Sequence, residues 1–201
     1  SFIYIENQFF ISGNAGQGIQ NKVVEAILDR IGVAIRSRQT FRVVIVLPVH
    51  PEGDPHRDAS VQAVLHYQYL TISRGPGSIF QRMRVMYPGI DPYEYISFYS
   101  LRQSGFLGDQ PTTEQVYVHS KLMIVDDRWA IVGSANINDR SLSFSAPAVS
   151  VNTFNRTQNL NDLYITMFGA KARAHWPGNL KKYRIVYGEI VDAFNAPAVD
   201  P

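Results

Sequence analysis

No cysteine occurs in the 201 residues of this chain. That excludes a disulfide framework, a thiol nucleophile and a thiolate-bound metal. Long hydrophobic runs are missing as well. The longest is about seven residues, Val43 to Val49 counting Pro48, whereas a membrane span needs about 20. Excess charge of one sign is absent, because 19 Lys+Arg stand against 17 Asp+Glu for a net charge of +2. This balance excludes a protein that holds nucleic acid by bulk charge. There is no initiator methionine, no signal peptide, no internal repeat and no low-complexity tract. The chain opens in a strand-like run, Ser1-Phe2-Ile3-Tyr4-Ile5, as expected of the middle of a larger polypeptide.

What is present is globular. Hydrophobic residues make up 45% and charged residues 18%, enough to build the core of one domain. Phe2 to Ile11 alternates as a strand does, with Ile3, Ile5, Asn7 and Phe9 on one face and Tyr4, Glu6, Gln8 and Phe10 on the other. A glycine-rich loop follows at 12–18, in the wrong order for a nucleotide fingerprint. Ile19, Val23, Ile27, Ile31 and Ile35 fall four apart and predict a helix over 19–37. Phe41 to Leu47 reads as a buried strand ended by Pro48. A second helix is expected over 58–73, short strands at 83–87, 95–99, 115–126 and 129–134, a loop at 102–114, and a last helix at 160–173. Strands alternating with helices imply an α/β fold with a sheet covered on both faces.

The chemistry is concentrated in Val118-His119-Ser120-Lys121-Leu122-Met123-Ile124-Val125-Asp126-Asp127 and in Gly133-Ser134-Ala135-Asn136. Residues two apart on a strand point the same way, so His119 and Lys121 share a face, and Ser134 and Asn136 have the same spacing. If the two segments are adjacent, an imidazole, an ammonium, a hydroxyl and an amide converge. That set suits a phosphate: Lys brings charge, Asn and Ser bring hydrogen bonds, and His attacks phosphorus or moves a proton. A lone strand histidine is ordinarily structural. An inward lysine two residues on is costly unless something anionic meets it, which favours the functional reading. With cationic side chains on the phosphate, no metal is needed.

His119-x-Lys121-x4-Asp126 followed by Gly133-Ser134-x-Asn136 resembles the second signature motif of the phospholipase D superfamily. Ile3-Tyr4-Ile5-Glu6-Asn7-Gln8-Phe9-Phe10 resembles the strand that opens the C-terminal half of eukaryotic-type members. Val61-Gln62-Ala63-Val64-Leu65-His66-Tyr67 and Tyr95-Ile96-Ser97-Phe98 resemble segments between them. The similarity covers about residues 1–145, leaving 146–201 as a divergent extension of the same domain. Asp139, in Asn138-Asp139-Arg140-Ser141, is closer to the animal and fungal type than to the plant type. The short motif alone also fits nucleases, cardiolipin synthases and tyrosyl-DNA phosphodiesterases.

The resemblance implies an α-β-α sandwich with a mixed central sheet. It implies hydrolysis of phosphatidylcholine to phosphatidic acid, or transfer of the phosphatidyl group to an alcohol, through a phosphohistidine. His119 becomes the general acid and then base. Lys121 and Asn136, with Ser134, bind phosphate oxygens, and Asp126 fixes its strand. Glu6, Asn7 and Gln8 are expected near the substrate. The chemistry requires no cofactor, and calcium or phosphoinositide control stays open. Only one His-x-Lys is present: His50, His56, His66 and His175 lack the lysine. The expected partner is therefore an N-terminal half with the first motif, from the same polypeptide, a cleaved chain or a homodimer mate. A phospholipid membrane surface is the other partner, and nucleic acid is not expected. The expected location is a peripheral one on the cytoplasmic face of a membrane, or that of a secreted bacterial effector. The family's Arg-Asp-x-Glu, whose Glu orients the catalytic imidazole, is replaced here, with Val149 at the Glu position. Either another group orients His119, or this copy is weakened. The rivals are a nucleic-acid phosphodiesterase and a non-catalytic lipid-binding module.

Overall fold

The computed structural model describes residues 1–16 and 18–142 and, as backbone, two further strands at Val151–Asn155 and Glu189–Val191. The order begins β1 (Phe2–Glu6), α1 (Val23–Arg36), β2 (Arg42–Val46), α2 (Ala59–Ile72), α3 (Ile79–Met86) and β3 (Ile96–Leu107). It continues with β4 (Gln110–Val116), β5 (Leu122–Val125), β6 (Trp129–Gly133), the single turn α4 (Asp139–Leu142), β7 (Val151–Asn155) and β8 (Glu189–Val191). The strands form one mixed sheet in the order β4-β3-β2-β1-β5-β6-β7, with β8 beside β3. β1, β2 and β3 are mutually parallel; β5, β6 and β7 add antiparallel neighbours on the other side of β1. The fold is α/β, as the pattern of the sequence implies.

The sheet grows in one direction from β1 through β2 to β3. Two right-handed crossovers running the same way put their helices on the same face. Ile5, Ile45 and Phe98 stand in one row of the register, beside Ile3, Val43 and Ile96. Val24, Ile27, Leu28 and Ile31 of α1 pack on that face, with Ile72 of α2 and Ile79, Phe80 and Met83 of α3. The four-residue spacing in α1 is therefore the buried stripe it was read to be. The opposite face carries Tyr4, Val46, Leu101 and Ile124, joined by Val118. The expected helix at 160–173 and the segment around Val149 lie outside the described residues.

Four local differences have physical causes. β1 pairs only as far as Glu6, after which Phe10 turns into the helix-side core and bridges Ile137. α1 begins four residues later than its periodicity suggests, because the N–H groups of Gln20 and Asn21 donate to the Asp139 carboxylate, at 2.6 and 2.9 Å. The expected strand at 83–87 belongs to α3, whose Ile79, Phe80 and Met83 make a one-sided helical stripe, leaving Val85 and Met86 exposed. The expected loop at 102–114 is a hairpin, registered from Leu101 against Val116 to Leu107 against Gln110. Its polar residues hide the alternation. Gly108, at φ 61°, takes the left-handed conformation required at the first central position of a two-residue turn.

The strand expected over 115–126 is interrupted, because residues 117–121 belong to no strand. β4 belongs beside β3 and β5 beside β1, so the chain between them must cross the C-terminal ends of the parallel strands. In open α/β sheets that edge is where ligands bind.

Candidate active site

The site is assembled where β1 ends. Asn7 leaves the strand buried, and its Oδ1 accepts from the N–H groups of Phe9 and Ile137, both at 3.2 Å. Its Nδ2 donates to the Ala135 carbonyl at 3.4 Å. Asn7, expected near the substrate, fastens the end of β1 to the segment 134–137. Glu6 is also buried, and its carboxylate accepts from the Tyr4 hydroxyl at 2.7 Å and from the Ser120 hydroxyl. It anchors Ser120, the residue between His119 and Lys121. Of the three strand residues singled out, Gln8 is the one that hydrogen-bonds Lys121 and Asn136.

Gln8 Oε1 accepts from Lys121 Nζ and from Asn136 Nδ2, each at 3.2 Å. A single oxygen is thus held by the ammonium and the amide that the sequence assigns to phosphate. The two motif segments lie side by side, since β5 and β6 pair as Leu122 against Val132 and the Gly133 N–H donates to the Lys121 carbonyl at 3.2 Å. Ser134 is exposed just beyond the end of β6. Lys121 Nζ lies 3.2 Å from His119 Nδ1 and donates to the His119 carbonyl at 2.6 Å. The imidazole is exposed. Burial pushes the Lys121 ammonium below its ordinary pKa. Asn136 Oδ1 is buried with no hydrogen-bond partner among the described residues. No carboxylate among the described residues hydrogen-bonds the His119 ring, and none of their His, Asp and Glu side chains cluster in threes as metal ligands would.

Asp126 lies at the far end of β5. Five residues from Lys121, at about 3.3 Å each, place it roughly 16 Å away. Its Oδ1 accepts from the Phe2 N–H at 2.6 Å, and its own N–H donates to the Phe2 carbonyl at 3.0 Å. Asp126 and Asp127, at φ 53° and 52°, are the central residues of the tight turn between β5 and β6. The motif aspartate thus ties this turn to the start of β1.

Three residues escaped the sequence reading. Tyr117, two residues before His119, accepts from Gln8 Nε2 at 3.1 Å and from the Glu52 N–H at 3.2 Å. Gln68 and Thr71 of α2 accept from the N–H groups of Phe10 and Ser12, both at 3.2 Å, and so hold the segment that follows Gln8. Their signal was a polar residue on the buried face of a helix: Gln68 is seven residues after buried Val61 and four before buried Ile72.

The sequence model of the family described as phospholipase D matches residues 1–113 and, in a second segment, 104–147. The chain belongs to the phospholipase D family. It is 53% identical over 148 residues to phospholipase D zeta 1 of Arabidopsis thaliana, covering 70% of this chain and 13% of that protein. To phospholipase D2 of Bos taurus it is 49% identical over 145 residues, covering 70% of this chain and 15% of that one. To phospholipase D1 of Saccharomyces cerevisiae the identity is 43% over 148 residues, covering 70% of this chain and 9% of that one. Overall identity thus does not favour the animal and fungal type over the plant type. Among solved structures, NucT from Helicobacter pylori matches at a TM-score of 0.35 and 14% identity, covering 85% of this chain and 77% of that one, too slight a likeness to bear on the argument. This phospholipase D family chain spans less than a sixth of the length of the curated relatives it matches.

Proposed function

We propose that the chain supplies one half of a phosphodiester-cleaving site that acts on glycerophospholipids of the phosphatidylcholine type. The observation that carries this is the convergence of Lys121 Nζ and Asn136 Nδ2 on one oxygen, that of Gln8, beside the exposed His119 imidazole. A phosphate oxygen is a better acceptor than an amide oxygen and displaces it, since ionised partners roughly double the strength of such bonds. Ser134 lies at the same edge to assist.

The reaction runs in two displacements. A histidine of the first motif attacks phosphorus, the bond from phosphorus to the head-group oxygen breaks, and His119 gives that oxygen its proton. His119 then takes a proton from water or an alcohol, whose oxygen attacks phosphorus as the bond to histidine breaks. The products are phosphatidic acid or a new phosphatidyl ester. The first motif comes from an N-terminal half in the same polypeptide, a cleaved chain or a homodimer mate. No cofactor enters these steps. The working location is a lipid surface; no helix among the described residues is long and apolar enough to cross a membrane.

The test supplies both halves with phosphatidylcholine and ethanol and looks for phosphatidylethanol by mass spectrometry. Its formation is the expected result. Cleavage of DNA without any lipid product would favour the nucleic-acid phosphodiesterase. Lipid binding with no turnover would favour the non-catalytic module, the reading suggested by the absence of a carboxylate on His119 among the described residues.

A further inference from the structure

The hairpin of β3 and β4 stands out from the rest of the sheet. β3 pairs with β2 through Tyr99 and with β8 through Arg102, while among the described residues Gln103 to Leu107 pair only with β4. Those five residues, at about 3.3 Å each, carry the hairpin roughly 16 Å further. β3 is parallel to β1 and β2, so this extension leaves the sheet at the C-terminal edge of those strands. Gln8, His119 and Lys121 lie along the same edge. At the tip, Phe106 is 78% and Leu107 77% exposed, the two most exposed large apolar side chains among the described residues.

Adjacent, nearly bare apolar side chains at a projecting tip are unfavourable in water and mark an interaction surface. The charge pattern selects the partner. Residues 103–113 contain no lysine or arginine, and their one charge is Asp109. An anionic partner is therefore not what the tip attracts. The flanking Gln103, Ser104, Gln110, Thr112 and Thr113 are neutral and polar, as suits a head-group layer.

We propose that the β3–β4 hairpin is a membrane-docking wedge. Phe106 and Leu107 enter the acyl-chain boundary of a neutral phospholipid surface, and the phosphate-binding edge of the sheet then faces the head groups. The choice of a lipid partner rests on the function proposed above.

The test is cosedimentation of the 201-residue chain with phosphatidylcholine vesicles. The double variant Phe106→Asp/Leu107→Asp should partition roughly tenfold less or worse, and wild-type binding should change little between about 0.1 and 1 M salt. Both positions are exposed, so an unchanged melting transition is expected and separates docking from folding. In a second variant, Phe106→Trp, brominated acyl chains should quench the new fluorescence. Equal partitioning of wild type and double variant would overturn the proposal, as would strong weakening by salt. Concentration-dependent dimerisation that the double variant abolishes, without vesicle binding, would assign the tip to a second copy. With both halves present, the double variant should lose activity on vesicles and keep it on monomeric short-chain lipid. If neither substrate is turned over by wild type, the catalytic reading fails while the vesicle result still decides the wedge.

Discussion

Gln8 is the residue on which the site's readiness depends. Its amide holds Lys121 and Asn136 on one side and the Tyr117 hydroxyl on the other. On the function proposed above, it holds Lys121 and Asn136 converged on the place that a phosphate oxygen then takes over. Gln8→Ala should therefore lower kcat/KM about tenfold, mainly through KM. A kcat loss with KM unchanged would assign Gln8 to the chemical step instead. At this scale the sequence was most legible where residue type is dictated by charge. His119, Lys121 and Asn136 do lie together, although His119 and Lys121 are not on the strand that their spacing suggested. Glu6 and Asn7 were less legible: a polar residue ending a strand has the same appearance whether it binds a ligand or fastens a backbone. Only the carbonyl of Ala135 and the N–H groups of Phe9 and Ile137 distinguish the two cases.

The elements owe their placement to a few polar contacts. The turn between β5 and β6 is held to the start of β1 by Asp126, in a backbone conformation that alanine disfavours. Asp126→Ala should cost about 2 kcal/mol, read as a lower denaturation midpoint, with little change in kcat per folded molecule. A selective loss of kcat would return Asp126 to the chemistry. Gln68 is buried in α2 with its Oε1 on the Phe10 N–H. Gln68→Leu leaves that donor unsatisfied and should cost about 1–3 kcal/mol in chemical denaturation. α1, β1 and β2 were legible because their periods are strong. α3 was not, since Met83 to Tyr87 taken alone is a short, mostly apolar run that a strand could equally supply, and only Ile79 and Phe80 reveal the helical stripe. The β3–β4 hairpin was missed because both of its faces are largely exposed, which removes the apolar alternation that marks a strand.

Across the whole molecule, the segment after β6 is tied to the approach of α1 by Asp139. Burial pushes this carboxyl up, but hydrogen bonds from the Asn21 and Gln20 N–H groups and the Asn21 side chain outweigh it and hold its pKa below the usual carboxylate range. A carboxylate depressed in the folded state stabilises the protein above its unfolded pKa, and that contribution is lost as pH falls through the folded value. Wild type should therefore exceed Asp139→Asn in thermal midpoint near pH 7, and the gap should narrow below about pH 4. A gap independent of pH would mean the clasp does not depend on charge. The sheet order itself, with β5 on the far side of β1 from β2, carries residues 117–121 over the strand ends and creates the site. The sequence shows the motif but not this crossing, which comes from pairings between distant strands.

The role proposed for His119, proton donor to the leaving group, is tested most directly by His119→Ala in material that contains both motifs. The substrates are phosphatidylcholine and a phosphatidyl ester of an acidic phenol, whose departure needs no proton. Choline release should vanish. The phenol should appear as one burst, equal in amount to the enzyme, and then stall for want of a base to activate water. Continued turnover of phosphatidylcholine by the variant, or no burst with the phenyl ester, would contradict that role.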